Sequence, residues 1–143
     1  MDLEHLYQDI ILDHYRNPRN RKKLAEDEVL ADEENPLCGD RIRLTATLEG
    51  GRIASIRFDG KGCAISQASA SMMTEAMKGN TPEEARNVIH RFIRVMTGQE
   101  AFNEADWDDL AALSGVRKFP LRIKCATMSW HGMMKVLAKL SGE

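Results

Sequence analysis

The sequence predicts an α+β fold, a small three-stranded antiparallel sheet packed with about five helices, as one domain over residues 1–143. Three observations carry that prediction. From Arg41 onward, "RIRLTATLEGGRIASIRFDG" alternates apolar and polar positions on either side of a glycine pair. The stretches before and after it repeat apolar residues at helical spacing instead. No internal repeat or Pro/Gly/Ser linker divides the chain.

Taken in order, Leu3, Leu6, Tyr7, Ile10, Ile11 and His14 predict an amphipathic helix over residues 3–15. "RNPRNRKK" ends it, because the residue before Pro18 is pushed out of the helical region. Residues 19–38 are polar and aperiodic and read as a loop. Two strands then pair across Glu49-Gly50-Gly51, with a short third strand expected over "KGCA". "ISQASASMMTEAMK" predicts a helix of small residues, able to lie close against a sheet or another helix. "TPEEARNVIHRFIRVM" is the clearest helix. Thr81 is its N-cap, Pro82 its first residue, and Glu84 completes a capping box. A short helix is expected over "EADWDDLAAL", and a final one starting near Cys125. Trp107 and Trp130 serve as core anchors or interface aromatics, and the eight methionines as packing.

Composition narrows the function. Charge is nearly balanced, 20 basic against 22 acidic residues, which argues against a general nucleic-acid binder. No stretch has the length of a membrane span, and the acidic, amphipathic N-terminus does not read as a secretory signal, so a cytoplasmic location is expected. In a reducing compartment three cysteines are buried inert thiols, metal ligands or nucleophiles rather than disulfides. The four histidines share no ligand spacing and read as surface or satisfied core residues.

The cysteines occupy particular positions. Cys38 lies on the Pro/Gly turn of "NPLCGD", Cys63 just ahead of the small-residue helix, and Cys125 at the expected start of the last. Helix N-termini stabilise thiolates. With Gly39 bending the turn, Cys38 and Asp40 can aim at one point. Adding Cys63 and Cys125 gives three sulfurs and one oxygen, a tetrahedral set suited to Zn2+. The site so formed is anionic, and Arg41, Lys61, Arg122 and Lys124 flank it in sequence. Spacing alone is a weak zinc signal, since the cysteines stand far apart. An aspartate beside thiolates is uncommon in purely structural zinc sites and points to ligand exchange and chemistry at sulfur.

"DHYRNPRN", "NPLCGD", "GKGCAISQASASMM" and "KFPLRIKCATMSW" together resemble the SufU branch of the iron–sulfur assembly proteins of the IscU-like fold. The resemblance spans nearly the whole chain. It implies the three-stranded sheet and packed helices, and a zinc-dependent sulfurtransferase that takes persulfide sulfur from a SufS-type cysteine desulfurase. Cys38, Asp40, Cys63 and Cys125 are the implied zinc ligands and Cys38 the implied sulfur acceptor. Arg122 and Lys124 are expected to steady a transient anionic sulfur. The alternative within the superfamily is an IscU-type scaffold on which a cluster is built. Scaffold members carry a histidine before the third cysteine, where this chain has Lys124. The segment Gly79–Arg117 corresponds to an insertion of the SufU branch. A structural zinc module using the same ligands is a third reading. The implied downstream partner is a sulfur acceptor or SufBCD-like scaffold.

Overall fold

The computed structural model describes residues 3–103, 105 and 107–142; the side chains of residues 3–6, and with them His5, lie outside that description. Helix α1 (Leu3–Arg16) leads through a short 3-10 turn (Glu26–Glu28) into three strands. These are β1 (Ala31–Asn35), β2 (Asp40–Glu49) and β3 (Arg52–Lys61), antiparallel in the order β1-β2-β3. Helices α2 (Ala64–Met77) and α3 (Pro82–Met96), a 3-10 segment (Asp108–Lys118) and α4 (Pro120–Leu140) complete the chain. No helix of the described residues is long and apolar enough to cross a membrane.

The sheet has three strands as expected, but the third is not "KGCA". Lys61 still pairs with Arg41 as the last residue of β3, and Cys63 is already the N-cap of α2. The missing strand is β1, inside the segment that reads as a loop. Its "ADEEN" pairs with β2 from Ala31↔Leu44 to Asn35↔Asp40. One face of an antiparallel sheet can stay in water, so β1 needs almost no apolar content: only Ala31 and Asn35 are buried. The β2–β3 hairpin turns on Gly50 and Gly51, both at positive φ, the pattern of a primed two-residue turn. Strict alternation would put Ile53 and Ile56 on opposite faces. A register shift beside Thr47/Leu48 leaves Ala54 as an extra residue, so that Ile53, Ile56 and Phe58 all face inward.

The inner face of the sheet, with Ile42, Leu44, Ile53, Ile56 and Phe58, is covered by α2 and α4. The small residues of α2 let α4 approach closely. Ser69 Oγ donates to the Ala126 carbonyl and accepts from Trp130 Nε1 at 2.9 Å. Both tryptophans are core residues. Phe92 of α3 stacks on Trp130 with centroids 3.9 Å apart and tilts against Trp107. His14 is a satisfied core histidine, bonded to Ser71 Oγ at 2.8 Å and to Asp109 Oδ2 at 3.1 Å.

Two helix boundaries differ from expectation. "EADWDDLAAL" becomes the 3-10 segment Asp108–Lys118, starting later, while Glu104 and Asp106 lie outside the described residues. Helix α4 starts at Pro120, whose fixed φ suits a first helical position, rather than near Cys125. Cys125 therefore sits more than a turn inside the helix, where the macrodipole no longer favours a thiolate.

Candidate metal centre

Three separate parts of the fold meet at one end of the sheet. The register pair Asn35↔Asp40 closes a turn over Pro36-Leu37-Cys38-Gly39, with the Cys38 N–H donating to the Asn35 carbonyl at 3.1 Å. Gly39 supplies the positive φ, +69°, that the reversal requires. Asp40, the first residue of β2, points inward and is 2% exposed. Cys63 reaches the same point as the N-cap of α2, and Cys125 from α4.

Ligand atoms of Cys38, Asp40 and Cys125 all lie within 4.8 Å of one another. The Cys125 and Cys38 Sγ atoms are 3.6 Å apart. Cys63 stands beside this trio, its Sγ 3.7 Å from Asp40 Oδ2. The carboxylate is oriented by the backbone: the Cys63 N–H donates to Asp40 Oδ1 at 2.8 Å, leaving Oδ2 towards the sulfurs. Gly62 makes that contact possible. A Cβ there would stand 2.2 Å from Asp40 Oδ1 and 2.9 Å from its Cα.

Asp40 makes no ion pair among the described residues. Burial pushes the Cys125 thiol far above its ordinary value, and hydrogen bonding with Asp40 and Cys38 pushes it further. A cation among these donors reverses that preference, since a coordinated thiol is held deprotonated. Two sulfurs and a carboxylate oxygen gathered within 4.8 Å, with the Cys63 sulfur outside that trio but against Asp40, are donor types that suit Zn2+.

Of the four flanking cations, only Arg122 is drawn to the cysteines. Contact with Cys125, then the fields of Cys63 and Cys38, hold its guanidinium more firmly charged. Arg41 is turned towards β1, where it pairs with Asp32 at 2.7 Å and with Glu34. Lys61 and Lys124 are exposed and make no ion pair among the described residues. Three large apolar side chains stand exposed on the segments that carry these ligands: Leu37 (79%), next to Cys38 in the chain, Phe119 (62%), the N-cap of α4, and Leu121 (77%), whose carbonyl lies 4.0 Å from Cys125 Sγ. Two residues escape sequence reasoning. Gly62 reads only as part of a glycine-rich turn. Asn35, whose Nδ2 donates to Cys125 Sγ at 3.7 Å, reads only as the residue before a proline.

Fold and donor set define a small α+β domain that gathers cysteine and aspartate donors of the kind that hold a metal ion at one end of its sheet. Residues 6–126 match the model of the NifU-like N-terminal domain. The chain is 49% identical to the zinc-dependent sulfurtransferase SufU of Bacillus subtilis over 99% of its own length and 95% of the relative's. It is 38% identical to the iron–sulfur cluster assembly scaffold protein IscU of Streptococcus pyogenes, covering 96% of this chain and 86% of that one. Among solved structures it resembles a protein of Fervidobacterium islandicum AW-1, provisionally described as a scaffold for the SUF system. That likeness has a TM-score of 0.78 at 28% identity, over 95% and 99% of the two chains. The chain belongs to the family of NifU-like N-terminal domains, in its SufU branch.

Proposed function

We propose that this chain is a sulfurtransferase of iron–sulfur cluster biogenesis, accepting persulfide sulfur on Cys38 from a SufS-type cysteine desulfurase. Cys38, Asp40, Cys63 and Cys125 hold one Zn2+ per chain. The 49% identity to a zinc-dependent sulfurtransferase supports sulfur transfer and zinc. The observation that carries the reading is the placement of Cys38. It is a half-buried thiol at the tip of a turn, within 4.8 Å of two other donors and next to exposed Leu37.

When bound, the metal keeps the thiols deprotonated at neutral pH and ties the three chain segments together. The Cys38 thiolate attacks the outer sulfur of the donor persulfide. A new S–S bond forms on Cys38, the donor's S–S bond breaks, and the desulfurase cysteine leaves as a thiolate. Asp40, held by the Cys63 N–H, and the buried Cys125 are too constrained to follow a departing Cys38. Arg122 faces the sulfurs and offsets the negative charge that moves onto the acceptor. Exposed Leu37, Phe119 and Leu121 offer the desulfurase an apolar seat that excludes water from the exchange. The persulfide then passes to a downstream acceptor or SufBCD-like scaffold.

The test is alanine production from cysteine by a SufS-type desulfurase, without iron and with a reductant. Substoichiometric zinc-loaded protein is expected to raise the rate severalfold, and Cys38→Ser to abolish the increase. No increase with the unaltered chain overturns the reading. The similarity to IscU of Streptococcus pyogenes favours a second reading, cluster assembly on the same cysteines. It predicts an iron- and sulfide-dependent visible chromophore on this chain and no stimulation of the desulfurase.

A further inference from the structure

The three sulfurs are held differently. Cys38 and Cys63 are half-buried, and no nitrogen donates to the Cys38 sulfur among the described residues. Cys125 is fully buried and receives the Asn35 side-chain amide at 3.7 Å. Asn35 is 8% exposed, and Cys125 Sγ is the only hydrogen-bond partner of its amide nitrogen among the described residues. Its backbone has a separate task. Asn35 pairs with Asp40 and its carbonyl accepts the Cys38 N–H, so the turn closes whatever side chain stands there.

We propose that Asn35 is a positioning residue for the metal centre: its amide donates to the Cys125 sulfur and fixes it as a permanent ligand, leaving Cys38 as the sulfur able to depart. The inference rests on the metal-centre reading above. A buried thiolate needs hydrogen-bond donors to replace lost water, and an N–H···S bond withdraws electron density from it. A neutral amide does this without a proton to lose, alongside the Arg122 guanidinium that contacts the same sulfur. Groups of this kind around a metal's ligands commonly change its affinity by about 10–100-fold when removed. Placed on one sulfur of three, the bond makes the ligands unequal.

The experiment loads the full chain with Co2+ in place of zinc and compares wild type with Asn35→Leu, which keeps the branched shape and removes the donor. Asn35→Ala is measured alongside in case the leucine does not fold. Loss of the N–H···S bond raises the energy of the sulfur lone pairs, so the thiolate-to-cobalt charge-transfer band is expected to move to longer wavelength. The zinc dissociation constant, from competition with a chromophoric chelator, is expected to rise about tenfold or more. An unmoved band in the folded variants overturns the proposal, including where affinity falls, because affinity alone reports a structural role. A wild-type chain that takes up neither metal overturns both this proposal and the metal-centre reading. Metal uptake by wild type with unmoved variants overturns the role of Asn35 alone.

Discussion

Asp40 is fixed between a backbone donor behind it and sulfurs in front, and Gly62 is the residue that leaves room for it. At φ +144° and with a Cβ clash of 2.2 Å, Gly62→Ala must push the carboxylate out of place. Zinc affinity, measured by chelator competition, is expected to fall at least tenfold, although Gly62 itself ligates nothing. Unchanged affinity would mean that Asp40 is not a ligand. A second carboxylate, Asp59, shows the opposite design, a pair that is purely structural. Arg43 donates to both its oxygens at 2.7 and 2.8 Å, and the Leu24 N–H adds a third bond at 2.7 Å. Burial alone would raise the Asp59 carboxyl, but these bonds outweigh it and hold it below its ordinary value of 3.8. The stability it contributes is therefore fully present above pH 3.8 and is lost as pH falls through the lowered native value. Asp59→Asn is expected to cost about 2 kcal/mol in urea unfolding at pH 7, and progressively less below that range. A cost independent of pH would refute the assignment.

Among the elements, α3 follows most directly from its residues. Thr81 Oγ1 accepts the Glu84 N–H at 3.2 Å while Glu84 Oε1 accepts the Thr81 N–H at 3.4 Å. Thr81→Ala is expected to cost about 1 kcal/mol, read as a lowered midpoint in denaturant with an unchanged slope. Such signals are local, and so were those for α1, α2 and the β2–β3 hairpin. What the sequence did not reveal depends on partners distant in the chain. Strand β1 carries "ADEEN", which has no β-forming character, and is a strand because β2 offers it a ladder and α4 covers its inner face. The bulge at Ala54 arises from pairing with β2 and interrupts an otherwise regular alternation. For the candidate site, Cys38, Asp40 and Cys63 were singled out by their chemistry and their turn and cap positions, whereas Cys125 was singled out by its chemistry alone, since its expected place at a helix start proved to be the interior of α4. Asn35 and Gly62 act only through contacts that the folded chain creates.

At the scale of the molecule, the donors come from the β1–β2 turn, the start of α2 and the interior of α4, so a metal ion there ties sheet to helices. Zinc at a hundredfold excess over its dissociation constant is expected to add about 2.7 kcal/mol. Chelation should therefore lower the melting temperature by on the order of 10 °C, and identical melting with and without chelator would contradict a native-state site. The same separation along the chain bears on synthesis. Residues 38–63 leave the ribosome well before Cys125, an interval on the order of seconds at typical elongation rates. During it the sheet and α2 exist without α4, and the apolar face carrying Ile42, Leu44, Ile56 and Phe58 has α2 against it but lacks the cover that α4 supplies. A nascent chain ending before Pro120 is therefore not a smaller folded protein but a sticky intermediate with an incomplete set of ligands. Helix α4 closes the core and brings Cys125 to the other candidate donors, so the proposed metal site cannot form until α4 has been made.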